Sequence, residues 1–166
     1  MRRQAVLLAA FICAMVALSV GAPWRDVPGA QAATIQGTAT GANGAHTCAL
    51  TSLGTLKCWG YNNRGQIGND VTGTNALTPQ NVCAAAGCGS LLSGVVYLAA
   101  GSEHTCAILS DTTARCWGSN TNGQLGDGTT GDSDTPVKVC ASGSGSACPA
   151  LTRIRHLRAR RSDLRA

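Results

Sequence analysis

A chain of 166 residues with a formal charge of +5 is long enough for one domain with a sizeable core, and its basicity invites a nucleic-acid reading. The distribution of charge excludes that reading. Between Ala33 and Thr152 four basic residues (Lys57, Arg64, Arg115, Lys138) face six acidic ones (Asp70, Glu103, Asp111, Asp127, Asp132, Asp134), so the body is about −2. A phosphate backbone needs clustered Lys and Arg on the folded surface, so no nucleic-acid partner is expected.

Residues 1–32 read as an export signal. Arg2 and Arg3 precede an uncharged run from Ala5 to Ala22, and Ala30-Gln31-Ala32 supplies a small-x-small cleavage pattern, with Ala22 as a second candidate site. The alternative is an uncleaved membrane anchor, which the alanine content of the run makes weak. Cys13 is not preceded by the small residues that a lipoprotein signal requires. The mature chain is therefore expected to be secreted or at the cell surface, with no membrane association after cleavage. It keeps eight of the nine cysteines, an even number that in an exported chain reads as disulfides.

Residues 33–94 form the first of two copies. His46-Thr47-Cys48-Ala49 returns as His104-Thr105-Cys106-Ala107, and Cys58-Trp59-Gly60 returns as Cys116-Trp117-Gly118. The run from Asn62 to Gly68 then matches that from Asn120 to Gly126. In the hairpin from Cys48 to Cys58, a loop Ser52-Leu53-Gly54 places Gly54 at a left-handed position where glycine costs least. Counting outward from it, Thr51 opposes Thr55, Leu50 opposes Leu56, and Cys48 opposes Cys58 in a close, non-hydrogen-bonded pair. Cys48–Cys58 and Cys106–Cys116 are the favoured staples; free cysteines packed as small apolar residues remain the alternative. Thr112 replaces the turn glycine in the second copy, so a different turn is expected there. Local pairing is also expected for Cys83 with Cys88 and Cys140 with Cys148. A zinc site is disfavoured by the lack of CxxC spacing.

Residues 95–152 form the second copy, with strands read at 95–100, 105–109, 114–117 and 136–139. Gly101, Asn122-Gly123 and the polar run to Thr135 punctuate them. Gly65, Gly68, Gly123 and Gly126 lack a following Lys-Ser/Thr and read as tight turns, not a phosphate loop. His46 and His104 occupy the same turn of each copy, so a structural hydrogen bond between strand and loop explains both without catalysis. Trp59 and Trp117 read as packing aromatics. The loop Asp127–Asp134 reads as solvated; its spacing fits no calcium loop. No metal or cofactor is expected.

The string from Gly101 to Val139 (Gly-x-x-His, an alternating strand, a hairpin, Trp-Gly, Asn-x-x-Gly-Gln-Leu-Gly and a closing Pro-Val) resembles a repeat of the regulator of chromosome condensation family. The likeness covers about Gly37 to Cys140, with Asn43 standing where the second copy has Gly101. It implies an all-β fold: two tandem four-stranded propeller blades, a fragment of a propeller that usually has seven in that family. The family includes nucleotide-exchange factors for a nuclear GTPase, a plant light sensor and a secreted bacterial β-lactamase inhibitor, so fold transfers better than function.

Residues 153–166 form an Arg-rich tail. Leu151 to Leu157 aligns with Leu92 to Leu98, but Arg153, Arg155, Arg158 and Arg160 replace Gly94, Val96, Ala99 and Gly101. This reads as a degraded third repeat in a truncated or frameshifted gene; a functional binder of anionic surfaces is the rival. The expected function is an exported, non-catalytic protein-binding module or a fragment of one. Its loops Asn69–Thr78 and Asp127–Thr135 would contact an unidentified protein. A nonfunctional remnant is the alternative, and a carbohydrate-active enzyme fragment is disfavoured for want of paired carboxylates. Export removes the chain from any cytoplasmic GTPase, which disfavours nucleotide exchange. The chain itself is a further expected partner, through open blade faces; two blades per copy add up to six or eight, never seven.

Overall fold

Gly54 sets the first hairpin. At φ 70° it completes a three-residue loop closed by Thr51 N–H donating to Thr55 O and Gly54 N–H donating to Thr51 O, both at 3.0 Å. Leu50 then faces Leu56 and Cys48 faces Cys58. The computed structural model describes residues 33–41, 45–143 and 148–152. The expected export signal, Asn43 and the tail from Arg153 lie outside the described residues.

Among the described residues, eight strands form two sheets. β1 (Ile35–Thr40), β2 (His46–Thr51), β3 (Leu56–Gly60) and β4 (Ala76–Asn81) make one, and β5 (Val95–Ala100), β6 (His104–Leu109), β7 (Ala114–Gly118) and β8 (Ser133–Lys138) make the other. Each sheet is antiparallel in sequence order. The described residues are all-β, as expected, and each sheet is one four-stranded propeller blade. A core cluster that includes Leu50, Ile67, Val82, Leu92, Val95 and Trp117 draws on both blades. A second, around Ile108, Leu125 and Val139, belongs to blade 2.

The eight cysteines pair locally. Cys48–Cys58 and Cys106–Cys116 join directly opposed residues with Cα atoms 4.1 Å apart. Cys83–Cys88 and Cys140–Cys148 close short loops, with Cα separations of 4.9 and 5.3 Å. Both strand pairings fall where the two chains of an antiparallel ladder approach most closely.

Three expectations need correction. The turn at Thr112 does not differ from that at Gly54: Thr112 takes φ 67°, with Leu109 N–H donating to Thr113 O and Thr112 N–H to Leu109 O, both at 2.9 Å. The register imposed by β6 and β7 overrides the local preference of a β-branched residue. The fourth strand begins at Ser133, three residues before the expected Pro136. Pro136 is tolerated because β8 is an edge strand that pairs only with β7. Finally, the counterpart of Gly101 is Gly41, not Asn43. Gly41 N–H donates to His46 O and Gly101 N–H donates to His104 O, each at 2.8 Å. Four residues of sequence separate Gly41 from His46 and two separate Gly101 from His104, so a two-residue insertion displaces the alignment. Glycine is required at both places by the histidine ring: a Cβ on Gly41 would lie 2.6 Å from His46 Nδ1.

The chain past β8 repeats the chain past β4. Leu151 N–H donates to Val139 O at 2.8 Å, as Leu92 N–H donates to Val82 O at 2.9 Å. Leu151 also packs on the blade 2 core, in the place where a third copy was expected to begin.

The strained turn gives the first test. Thr112→Gly is expected to raise the unfolding free energy by about 1 kcal/mol, the strain of a non-glycine residue in the left-handed region. Urea unfolding measures it; a stability unchanged or lowered would contradict the strain.

Candidate functional site: the interblade seam and the loop face

The two blades meet through the loop that follows β3, Asn62–Gly68. Asn62 organises this loop from within: its Oδ1 accepts from Ile67 N–H at 3.0 Å and its Nδ2 donates to Val71 O at 2.7 Å. Gln66 folds back so that its Oε1 accepts from Arg64 N–H at 2.8 Å. With its side chain so used, the carbonyl of Gln66 points at blade 2. There it accepts two hydrogen bonds, from Trp117 Nε1 at 2.9 Å and from Thr105 Oγ1 at 3.1 Å. Trp117 and Thr105 are completely buried by this contact.

His46 completes the seam. Its Nε2 lies 2.9 Å from Thr105 Oγ1. The Thr105 hydroxyl proton is already given to Gln66, so the imidazole must be the donor, carrying its proton on Nε2. Nδ1 is then a bare acceptor, buried without a partner among the described residues. Burial holds the His46 imidazole down at about 4, with the charge of His104 adding to the effect. Burial lowers His104 in the same direction.

The expected structural role of the histidines therefore takes another form. His46 bonds across blades rather than between strand and loop of its own blade, and His104 Nε2 has no such partner among the described residues. Gly65 and Gly68 are tight turns at φ 78° and 76°, but they also admit blade 2. A Cβ on Gly68 would sit 2.7 Å from Trp117 Nε1, and one on Gly65 would sit 2.5 Å from Asp134 Cα. Gly123 and Gly126 hold similar turns at φ 72° and 65°. Trp117 is a packing aromatic sealed between blades, whereas Trp59 is only half-buried. Sequence reasoning missed Asn62, Asn120, Gln66 and Gln124 as organisers. Their signal was present, since each recurs with its loop at the same offset.

The seam also aligns the loops after β3 and β7. Arg64 Nη1 pairs with Asp132 Oδ2 at 3.1 Å, Thr72 Oγ1 donates to Asp134 Oδ2 at 3.1 Å, and Asp70 N–H donates to Asp134 O at 3.1 Å. Asp127 accepts from Thr129 and Asn120, and Asp132 also caps Asn120 N–H at 2.7 Å. All three carboxylates of this loop thus hold loop backbone or the neighbouring blade. Residues 71–75 and 128–132 are left exposed side by side. This surface is one of hydroxyls, an amide, the exposed Val71 and the Arg64-paired carboxylate of Asp132.

The buried imidazoles predict a pH dependence. A base whose folded pKa is depressed favours the neutral form, so its stabilisation is present above the unfolded value near 6.5 and is lost as pH falls towards 4. Between pH 7 and pH 5 His46 alone is expected to cost about 2 kcal/mol of unfolding free energy. His46→Gln should flatten that slope in urea titrations, whatever its stability at pH 7. An equal slope in the variant would remove the histidine from the seam.

Models of the regulator of chromosome condensation (RCC1) repeat match residues 38–66 and 95–124 in one form, and 54–108 and 116–153 in another. The ultraviolet-B receptor UVR8 of Arabidopsis thaliana is 35% identical over 98 residues, which are 59% of this chain and 21% of the receptor. The crystal structure of human WBSCR16 superposes with a TM-score of 0.56 at 19% identity, over 76% of this chain and 29% of that one. Yeast RCC1 (Prp20), in its crystal structure bound to Kap60, gives a TM-score of 0.54 at 21% identity, over 66% of this chain and 25% of its own. The chain spans about a fifth of the length of the plant receptor. With the repeat models covering more than half of it and a two-blade structure to match, the chain belongs to the RCC1 repeat family.

Proposed function

We propose that this chain is an exported propeller-blade module that binds another protein through its loop face and performs no chemistry of its own. The observation that carries the reading is the juxtaposition of two loops. Residues 71–75 of blade 1 and 128–132 of blade 2 are exposed, and each is tied to the other blade, by the Thr72–Asp134 and Arg64–Asp132 contacts. Loops held by a rigid scaffold lose little entropy on binding, which suits recognition. The exposed groups are neutral hydrogen-bonding side chains beside Val71 and the Asp132 carboxylate, which is paired with Arg64, a surface for a folded partner rather than for a polyanion. Export is supported by the charge and cleavage pattern of residues 1–32 and by four disulfides in so short a chain. Yeast Prp20, of similar fold, is seen bound to another protein, and that likeness supports a binding role without naming a partner here.

The test is capture from the culture supernatant of the host with the immobilised chain. A retained protein is expected, and Val71→Asp combined with Thr130→Arg is expected to weaken its retention at least tenfold. Both positions are exposed, so the thermal transition should not move. Retention indifferent to the loop variants would overturn the loop-face reading.

A further inference from the structure

One of the four cystines is built unlike the others. Cys88 is the one exposed cysteine among the described residues, and its partner Cys83 is fully buried. Cys48–Cys58 and Cys106–Cys116 are buried at both ends and lie inside strand ladders, which keep their sulfurs opposed even when the bond is open. Cys140–Cys148 has one half-buried and one buried end. Cys88 also takes φ 49°, alone among the described cysteines in the left-handed region. A non-glycine residue held there carries backbone strain that it can shed once the bond is open. The closed loop is short as well: Cys83 and Cys88 are 5 residues apart, against 8 and 10 for the other pairs. A cystine across a shorter loop restrains the unfolded chain less, so the fold loses least when this one opens.

The loop that this cystine closes is tied to the seam through one aspartate. Gly87 N–H, beside Cys88, donates to Asp70 Oδ2 at 2.9 Å. Asp70 N–H in turn donates to Asp134 O of blade 2 at 3.1 Å. Asp70 sits at φ 62°, and its counterpart in the second copy is Gly128, at φ 76°. The backbone at this position therefore favours glycine. What the first copy gains from an aspartate there is the bond to Gly87, a link that Gly128, without a side chain, cannot make to the Cys140–Cys148 loop.

We infer that Cys83–Cys88 is a thiol-exchange site, opened at Cys88 by an external dithiol, and that its opening loosens the seam at Asp70. One thiolate of the dithiol attacks Cys88 Sγ and forms a mixed disulfide with it. The Cys83–Cys88 bond breaks, and its electron pair leaves on Cys83 Sγ, which takes up a proton. The second thiolate then attacks the first sulfur of the dithiol and expels the Cys88 thiolate, which is protonated in turn. The products are two cysteine thiols and the dithiol oxidised to its own disulfide. Cys88 then leaves the left-handed region and carries Gly87 N–H away from Asp70. Without that bond the strained Asp70 backbone relaxes and releases Asp134 O. The device acts on the seam and stands apart from the loop-face reading.

Titration of the oxidised, folded chain with dithiothreitol tests the inference, with free thiols trapped by iodoacetamide and located by mass spectrometry. Cys83 and Cys88 are expected to be labelled about tenfold faster than the other paired cysteines. Hydrogen exchange followed by NMR then compares the oxidised chain with the chain reduced at this cystine. The Asp70 amide should exchange about tenfold faster after reduction. The Val95 amide, which donates to Gly54 O across the blades at 3.0 Å, should keep its rate. Asp70→Gly places in blade 1 the residue that blade 2 already carries in this conformation, so it should fold. Its cystine should open as readily, but the amide at position 70 should no longer respond to reduction. Labelling that begins at another pair, or at all four together, overturns the inference. So does an Asp70 amide unmoved by reduction, or a Val95 amide that quickens with it. An Asp70→Gly variant that responds to reduction as the unaltered chain does overturns it as well.

Discussion

The structure depends on one carbonyl. Gln66 O accepts from Trp117 Nε1 and Thr105 Oγ1 in a fully buried setting, and the rest of the seam is arranged so that it can. The glutamine side chain is turned back on its own loop, Asn62 holds that loop from behind, and Gly65 and Gly68 remove the Cβ atoms that would hold blade 2 away. Each donor left unpaired here would cost on the order of 1–3 kcal/mol, which exceeds what a typical satisfied hydrogen bond gains. The seam therefore specifies the register of the blades more than it adds to their stability.

Within a blade, a different constraint rules. The strand ladder and the cystine at its close-paired position fix the hairpin so firmly that Thr112 is held in a left-handed turn. Between blades the backbone bonds are isolated, Asp70 N–H to Asp134 O and Val95 N–H to Gly54 O, and the centre of the seam is one backbone carbonyl met by side chains of the other blade. That division explains the pH behaviour. The seam carries the buried imidazole of His46, and blade 2 buries a second at His104, both with depressed pKa values.

Much of this was legible in the sequence. The hairpin register followed from Gly54, the cysteine pairing from that register, and the blade count from the repeat. What was not legible has physical reasons. Gly41 was hidden because an insertion of two residues shifts the turn before His46 without altering the strands. The start of β8 was hidden because Ser133–Thr135 is polar, although its backbone pairs at an edge. The seam was hidden because it acts across 39 residues of chain between Gln66 and Thr105, and repetition in sequence marks which residues recur, not which copy they touch. His46 and His104 look equivalent as letters; only packing distinguishes a histidine with a threonine before it from one without.

The central claim is that Trp117 and Trp59, identical in the repeat, differ because one is sealed by a neighbouring blade and the other is not. Hydrogen exchange at the two indole N–H groups, followed by NMR below any concentration at which copies associate, measures this directly. The Trp117 indole is expected to exchange only on opening of the seam, orders of magnitude more slowly than that of Trp59. Equal exchange at the two indoles would contradict the account.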